Sequence, residues 1–509
     1  MSISTYIAPI TKGVELVTQL LMEEYQVNPE TAKKLAENRV KPHLAKLKDT
    51  CYILAETSYV DKVYRDSYYH YYSSKLNNYK RDCIRLSLFE GEIKDGDFRQ
   101  PERVKELQNI YRGFIVLRPI QPFVIGRSVI SPQALKENTF LSCWTKFHTT
   151  VNGIKFEVEG FPHSSQDTET LSCAETTLWA IMEYFGNKYP EYNPVLPSKI
   201  ITALNKVTTE RQLPSKGLNI QQMSFALREF GFGTRVYGRE EYKQDFEKLI
   251  STYVESGIPV TLAVDNMHAG GNIGHAILCV GHEQINDGQI DALLENQILN
   301  PTLKSAVVAK GIKLYDLDGI KKEFIFIDDN CPIYQKAGLD SPAKHPYYPA
   351  PWHTCQVRHF IVPLYHKIYL EAFEAKNFIF NFLVTGPEPI QHGSEVLIKT
   401  FLASSRSFKD SLALNGTFQD DVRELILETP MPKFIWIAEI SDKNLMKKKM
   451  ANGIVILDAT EANIYFNKPL ILAAYQDKLI KPDPTDGKLE NIALSLQPFS
   501  IYTRNLRNL

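Results

Sequence analysis

Apolar positions change period several times along the chain. From 13 to 50 they recur at helical spacing: Val14, Leu16, Val17, Leu20 and Leu21 share a face, and ETAKKLAENRVKPHLAKLK extends the helical character. Two strand-like runs follow, CIRLSLFEG (83–91) and RGFIVLRPIQPFVIG (112–126), with Pro119 and Pro122 placing the second at an edge or a bend. After about 150 a strand-like GIKFEVEGF leads through a polar loop into a helix, ETTLWAIMEYFG, whose buried side is marked by Leu178, Ile181, Met182 and Phe185. A second helical stripe, Ile220, Met223, Leu227 and Phe230, precedes four short apolar runs: GIPVTLAV (257–264), HAILCVG (275–281), FIFIDD (324–329) and HFIVPLYHKIYL (359–370). A helix cluster followed by strands predicts an α+β fold. The Pro-, Tyr- and Gly-rich stretch 335–352 reads as a long loop, and TGPEPIQHG (385–393) opens a further strand-rich region with KFIWIAEIS, GIVILDAT and PLILAAY. Three units are expected: an N-terminal α+β unit (1–150), a central unit of helix cluster plus antiparallel sheet (151–375), and a C-terminal α/β unit (376–509).

Composition narrows the function classes. With 44% hydrophobic and 23% charged residues in 509, the chain can bury large cores. A formal net charge of −1 gives no global footprint for nucleic acid or an anionic membrane. The tyrosine-rich stretch 58–80 could stack single-stranded bases, but amphipathic tyrosines packing on a sheet explain it more simply. Seven widely spaced cysteines, with no CxxC pair, argue against a disulfide framework or a four-cysteine zinc site. No apolar run of membrane-spanning length and no signal-peptide pattern occurs, so a cytoplasmic protein is expected. No cofactor is expected.

Three phrases carry candidate chemistry. In SSQDTETLSCAETTLWAIMEYFG, Cys173 falls at the start of a helix. A cysteine there meets the positive end of the helix dipole, and with a neighbouring histidine such a thiol can fall from about 8.5 to roughly 3.5–7.5. Gln166, in the polar loop upstream, can aim an amide N–H where the Cys173 backbone N–H also points, which makes an oxyanion hole. In HAGGNIGHAILCVGHE, His275 follows glycine-rich chain and opens an apolar strand; His268 and His282 compete for its role from the loop and the strand's far end. In FIFIDDNCPIY, a strand ends at Asp328 and Asp329, either of which can orient a histidine ring. Strand alternation sends the two to opposite faces, so one is expected to face His275, with Asp328 preferred.

The order of these phrases resembles the papain-like cysteine peptidase superfamily, and within it the branch of peptidases that remove double-glycine leaders from bacteriocins. QDTETLSCAETTLWA, GLNIQQMSFALREFG, GIPVTLAV, GHAILCVG and FIFIDD carry the resemblance over about residues 160–335. It implies a papain-like central domain in a bacterial protein acting on a peptide or protein substrate. Cys173 would be nucleophile, His275 base, Asp328 orienting acid and Gln166 oxyanion donor. Ala174-Glu175 after the cysteine and Asp-Asp-Asn in place of Asp-Pro depart from the family pattern. Hydrolysis of a peptide or amide bond is the expected reaction. Transglutaminase-type acyl transfer is an alternative, as is a noncatalytic binding or sensor protein on the same fold. The terminal units would bind a protein partner. Other signals are weaker: His353, Cys355, His359 and His366 have no known zinc spacing, Arg118 and Arg127 suit ion pairing, and Asp458 suits a turn.

Overall fold

The computed structural model describes residues 4–266, 273–298, 300–483 and 487–508, a mixed α+β molecule built on three seven-stranded sheets. The first sheet is antiparallel throughout. Its spatial order is Thr5–Pro9, Cys51–Tyr59, Cys83–Glu90, Tyr111–Leu117, Ile125–Ile130, Ile154–His163 and Thr145–Val151. Pro119 and Pro122 sit in the bend between two of these strands. Both faces of the middle strands are covered, which is why those strands read as nearly unbroken apolar runs. Ile53, Leu88, Ile115 and Leu117 enter the main core, and their alternates Leu54, Phe89, Phe114 and Val116 enter an aromatic layer. Tyr64 and Tyr72 are buried in that layer, with Tyr68, Tyr71 and Tyr79 packed against it, so much of the tyrosine-rich stretch is spent on the sheet.

The central sheet, also antiparallel, runs Gln335–Ala337, Phe324–Ile327, Gly274–Glu283, Val260–Asp265, Gln356–Tyr365 and Phe232–Gly238. Its seventh strand, Phe140–Ser142, pairs with the far end of Gly274–Glu283. The third sheet runs Lys313–Asp316, Glu395–Ser404, Phe434–Ser441, Gly453–Asp458, Leu470–Tyr475, Lys478–Pro482 and Leu489–Ala493. Only its first pair is parallel. The C-terminal unit is therefore not of α/β type: its neighbouring strands reverse direction at each step rather than returning through crossover helices.

The sheets do not respect the boundaries expected from sequence. Residue 150 falls inside the hairpin Thr145–Val151/Ile154–His163. Its turn, Asn152-Gly153, has both residues at positive φ (47° and 84°), the geometry an Asn-Gly hairpin favours. GIKFEVEGF thus belongs to the first sheet, Phe140–Ser142 to the second and Lys313–Asp316 to the third. One hydrophobic cluster joins all three, from Ile10 through Leu178 and Ile277 to Leu506. Among the described residues no helix is long and apolar enough to cross a membrane.

Candidate active site

Cys173 is the first residue of the helix Cys173–Lys188. The helix begins there because Ser172-Cys-Ala-Glu175 is a capping box: Glu175 accepts the Ser172 amide at 3.2 Å and its hydroxyl as well. Ser215 also donates to Glu175, at 2.6 Å. Glu175 therefore has a structural use, fixing where the helix starts. Of the seven cysteines, all free, Cys173 alone is not buried.

The helix is buried nearly all round from Ala174 to Phe185, beyond the single stripe its apolar residues mark. Polar residues on its other sides have partners from distant segments. Glu183 meets Arg127 of the first sheet at 3.1 Å and Lys62 at 3.0 Å, and the Thr177 hydroxyl lies 3.4 Å from the carbonyl oxygen of Ala276, next to His275. Breaking such a buried ion pair costs about 3–5 kcal/mol. Glu183→Gln is accordingly expected to lower the melting temperature sharply, and a thermal melt within a degree or so of wild type would contradict the tether.

His275 lies on Gly274–Glu283, opposite Val264 of the neighbouring strand. Phe324–Ile327 pairs along the other side, and the chain leaves it at Asp328. Asp328 Oδ1 lies 3.0 Å from His275 Nε2 and also accepts the Asn330 amide at 3.0 Å. Cys173 is among the groups that favour the charged form of the same imidazole. With Nε2 taken by Asp328, Nδ1 is the nitrogen left for the thiol. Burial opposes a charge on His275, but the charge and hydrogen bond of Asp328, the Cys173 contact and Asp329 outweigh it and hold the imidazole well above its usual range. Burial opposes the Asp328 carboxylate too, yet His275, the Asn330 amide and Tyr348 keep it below the usual aspartate value.

Asp329 does not turn away as alternation would require. Both aspartates lie beyond the strand's end at Ile327, in a turn, and Asp329 Oδ1 is 3.5 Å from His275 Nε2. Its carboxylate oxygens are buried without a hydrogen-bond donor, and burial, offset by His275 and reinforced by Asp328, raises it to about 7. A carboxyl raised on folding favours the folded state in its protonated form. That stability is present at acid pH and is lost as pH rises from about 4 through 7. Asp329→Asn, which mimics the protonated group, should therefore raise the melting temperature more near pH 8 than near pH 5. Equal shifts at both would contradict this role.

Gln166 sits in the loop before the helix. Arg118, buried just past the end of the first-sheet strand Tyr111–Leu117, donates to the carbonyl oxygens of Ser165 at 2.7 Å and Gln166 at 2.8 Å, and Asp167 caps the next turn through the amides of Thr170 and Leu171. One Gln166 amide N–H goes to Asn330 Oδ1 at 2.8 Å, leaving the second for another acceptor. Arg118 thus works on backbone carbonyls, with Asp167 at 3.9 Å, while Arg127 pairs with Glu183.

The competing groups have other occupations. His282 contacts Glu255 at 2.9 Å and the Glu283 carbonyl oxygen at 2.7 Å, and His268 lies outside the described residues. Asp458 caps a turn through Thr460. Among the described residues two groups bring three metal-capable atoms within 4.8 Å: His275, Asp328 and Asp329, and Asp328, Cys331 and His345. Neither includes His353, Cys355, His359 or His366. In the second group the His345 Nδ1 accepts the Tyr347 amide at 3.3 Å, so its proton sits on Nε2, facing Cys331 Sγ at 3.5 Å. A cation at Nε2 would need the opposite tautomer. A cavity of 510 Å³ opens elsewhere, between His282, Lys399, Met446 and Tyr502.

Several residues of the site gave no sequence signal. His163, at the end of a first-sheet strand, donates from Nε2 to the carbonyl oxygens of Asp328 (3.1 Å) and Cys331 (3.0 Å), clamping the turn that carries both aspartates. Burial lowers its affinity for a second proton, which suits a neutral donor. Lys46 holds the following carbonyls, of Ile333 and Tyr334. The N-terminal unit is thus part of the site's scaffold. Tyr348 and Trp352, from the long loop, stack face to face at 4.1 Å and 3°, and the Trp352 ring meets His275 edge-on at 5.3 Å.

No protein-family model matches this chain, and no curated protein matches it.

Proposed function

We propose that the chain is a papain-like thiol hydrolase acting on a peptide or amide bond. The observation that carries this reading is one imidazole, His275, which contacts the buried carboxylate of Asp328 and whose charged form the half-buried Cys173, at a helix N-terminus, also favours. Thiolate and imidazolium suit each other there: the helix dipole favours the anion, and Asp328 favours the cation.

The reaction starts with the Cys173 sulfur donating its electron pair to the substrate carbonyl carbon. The resulting oxyanion accepts the Cys173 backbone N–H, an amide of the first helical turn with no partner within the helix, and the second N–H of Gln166. Each such donor contributes on the order of 3 kcal/mol to the transition state. As the C–N bond breaks, imidazolium gives its proton to the leaving amine and a thioester remains. His275, now neutral, takes a proton from water as its oxygen attacks the thioester; sulfur leaves, and the product is a carboxylic acid. An amine in place of water would give acyl transfer instead.

The test is a fluorogenic peptide-amide library offered to the full chain and to Cys173→Ala, with and without an added primary amine. Cleavage by the wild type alone supports the hydrolase, and amine incorporation would convert it to a transferase. Equal signals from both proteins would remove the catalytic reading.

A further inference from the structure

Tyr348 has one hydroxyl proton and two lone pairs, and the structure gives each a place. Its oxygen lies 2.9 and 3.0 Å from the two Asp328 oxygens, 3.1 Å from His275 Nε2 and 3.2 Å from Asn330 Nδ2. The direction of these bonds is set from outside. Gln166 donates to Asn330 Oδ1, so the other end of the Asn330 amide is a donor and faces the Tyr348 oxygen. The single N–H of a protonated His275 Nε2, shared with Asp328 Oδ1, is a donor toward that oxygen as well. Two donors against the oxygen send the phenol's own proton to Asp328, the acceptor left.

We propose that Tyr348 is a positioning residue that holds the Asp328–His275 pair in its charged form, with Asn330 and Gln166 fixing the direction in which its hydroxyl donates. The proposal rests on reading Cys173 and His275 as the reacting pair.

The ring is placed for this. Trp352 covers one face, and His345 lies 4.9 Å away between centroids. His353 Nε2 donates to the carbonyl oxygens of His345 (3.2 Å) and Tyr348 (3.0 Å), bracing the segment that carries the phenol. Burial, with Asp328 and Cys331 beside it, pushes the phenol far up, so it remains a donor wherever the thiol reacts. A hydrogen bond to a charged acceptor is among the stronger ones available in a protein. Its loss would leave the buried Asp328 carboxylate one donor short and remove one acceptor from Nε2, so both charged members of the pair lose support.

Tyr348→Phe keeps the ring and its stack on Trp352 but removes the hydroxyl. The readout is the pH–rate profile of Cys173 alkylation by iodoacetamide on the full chain, with the adduct located by mass spectrometry, beside His275→Ala and a thermal melt. The expected result is an upper inflection, where His275 loses its proton, displaced to lower pH by on the order of one unit. A merely space-filling tyrosine would leave the profile unchanged. If His275→Ala alters the profile and Tyr348→Phe reproduces wild type, the role of Tyr348 is overturned and the reacting pair stands. If His275→Ala also reproduces wild type, the reacting pair falls, and the proposal with it. Should Tyr348→Phe fail to fold, Asn330→Ala, at a partly exposed position, is expected to shift the same inflection in the same direction by less, and no shift there overturns the proposal.

Discussion

Cys173→Ala should leave a folded protein whose turnover has fallen on the order of 10⁶-fold, the scale on which loss of a nucleophile acts in a hydrolase. Both halves of this result follow from where the residue sits. Cys173 is half-exposed at the first position of its helix, and the helix start is fixed by Ser172 and Glu175 rather than by the thiol. Truncating it removes little buried surface, so the melting temperature should barely move. The other six cysteines are buried, and truncating any of them opens a cavity. Activity and stability should thus separate at position 173. A variant that keeps more than about a thousandth of wild-type turnover would show that some other group attacks.

Asp328→Asn carries the next largest effect, a fall on the order of 10⁴-fold, as expected when an orienting carboxylate becomes an amide. Asparagine keeps the size but removes the charge that holds His275 above its usual range. It also sets an amide N–H₂ against the Tyr348 hydroxyl or His275 Nε2, where the native carboxylate accepts from both. Asp329→Asn makes the informative contrast. Asp329 is 3.5 Å from the imidazole rather than 3.0 Å, its oxygens lack hydrogen-bond donors, and burial already favours its protonated form. It should keep most activity. Steady-state kinetics on the two variants therefore assign the orienting role, and equal losses would mean the carboxylates act as a pair.

The sequence made the local parts of the site readable and concealed what joins them. A helix beginning at Cys173 is written in Ser-Cys-Ala-Glu followed by apolar residues, and the strands on either side of His275 and before Asp328 are apolar runs. Which aspartate faces the histidine was not legible from alternation, because alternation stops at Ile327, where the strand does. Asn152-Gly153 is a local hairpin signal, and the boundary expected at 150, two residues earlier, divides its hairpin. His163, Lys46 and Tyr348 reach the site from a distant strand, an early helix-end segment and a loop without periodicity. Their roles come from pairings over 165, 287 and 20 positions along the chain, and no local pattern encodes such distances. The length of the 335–352 segment was itself a cue, since a long structureless stretch inside a folded domain often covers a functional site.

The ultraviolet absorbance of thiolate, followed against pH in the wild type, Cys173→Ser and His275→Ala, tests the Cys173–His275 pair most directly, because the other cysteines stay silent. Burial pushes Cys51 up to about 11 and Cys143 to about 12, and raises Cys83, Cys279, Cys331 and Cys355 as well. Any thiolate near neutral pH then belongs to Cys173. The account requires one thiolate equivalent near pH 7, absent in Cys173→Ser and much reduced in His275→Ala. A wild-type protein with no thiolate signal there, or one indifferent to His275, would contradict it.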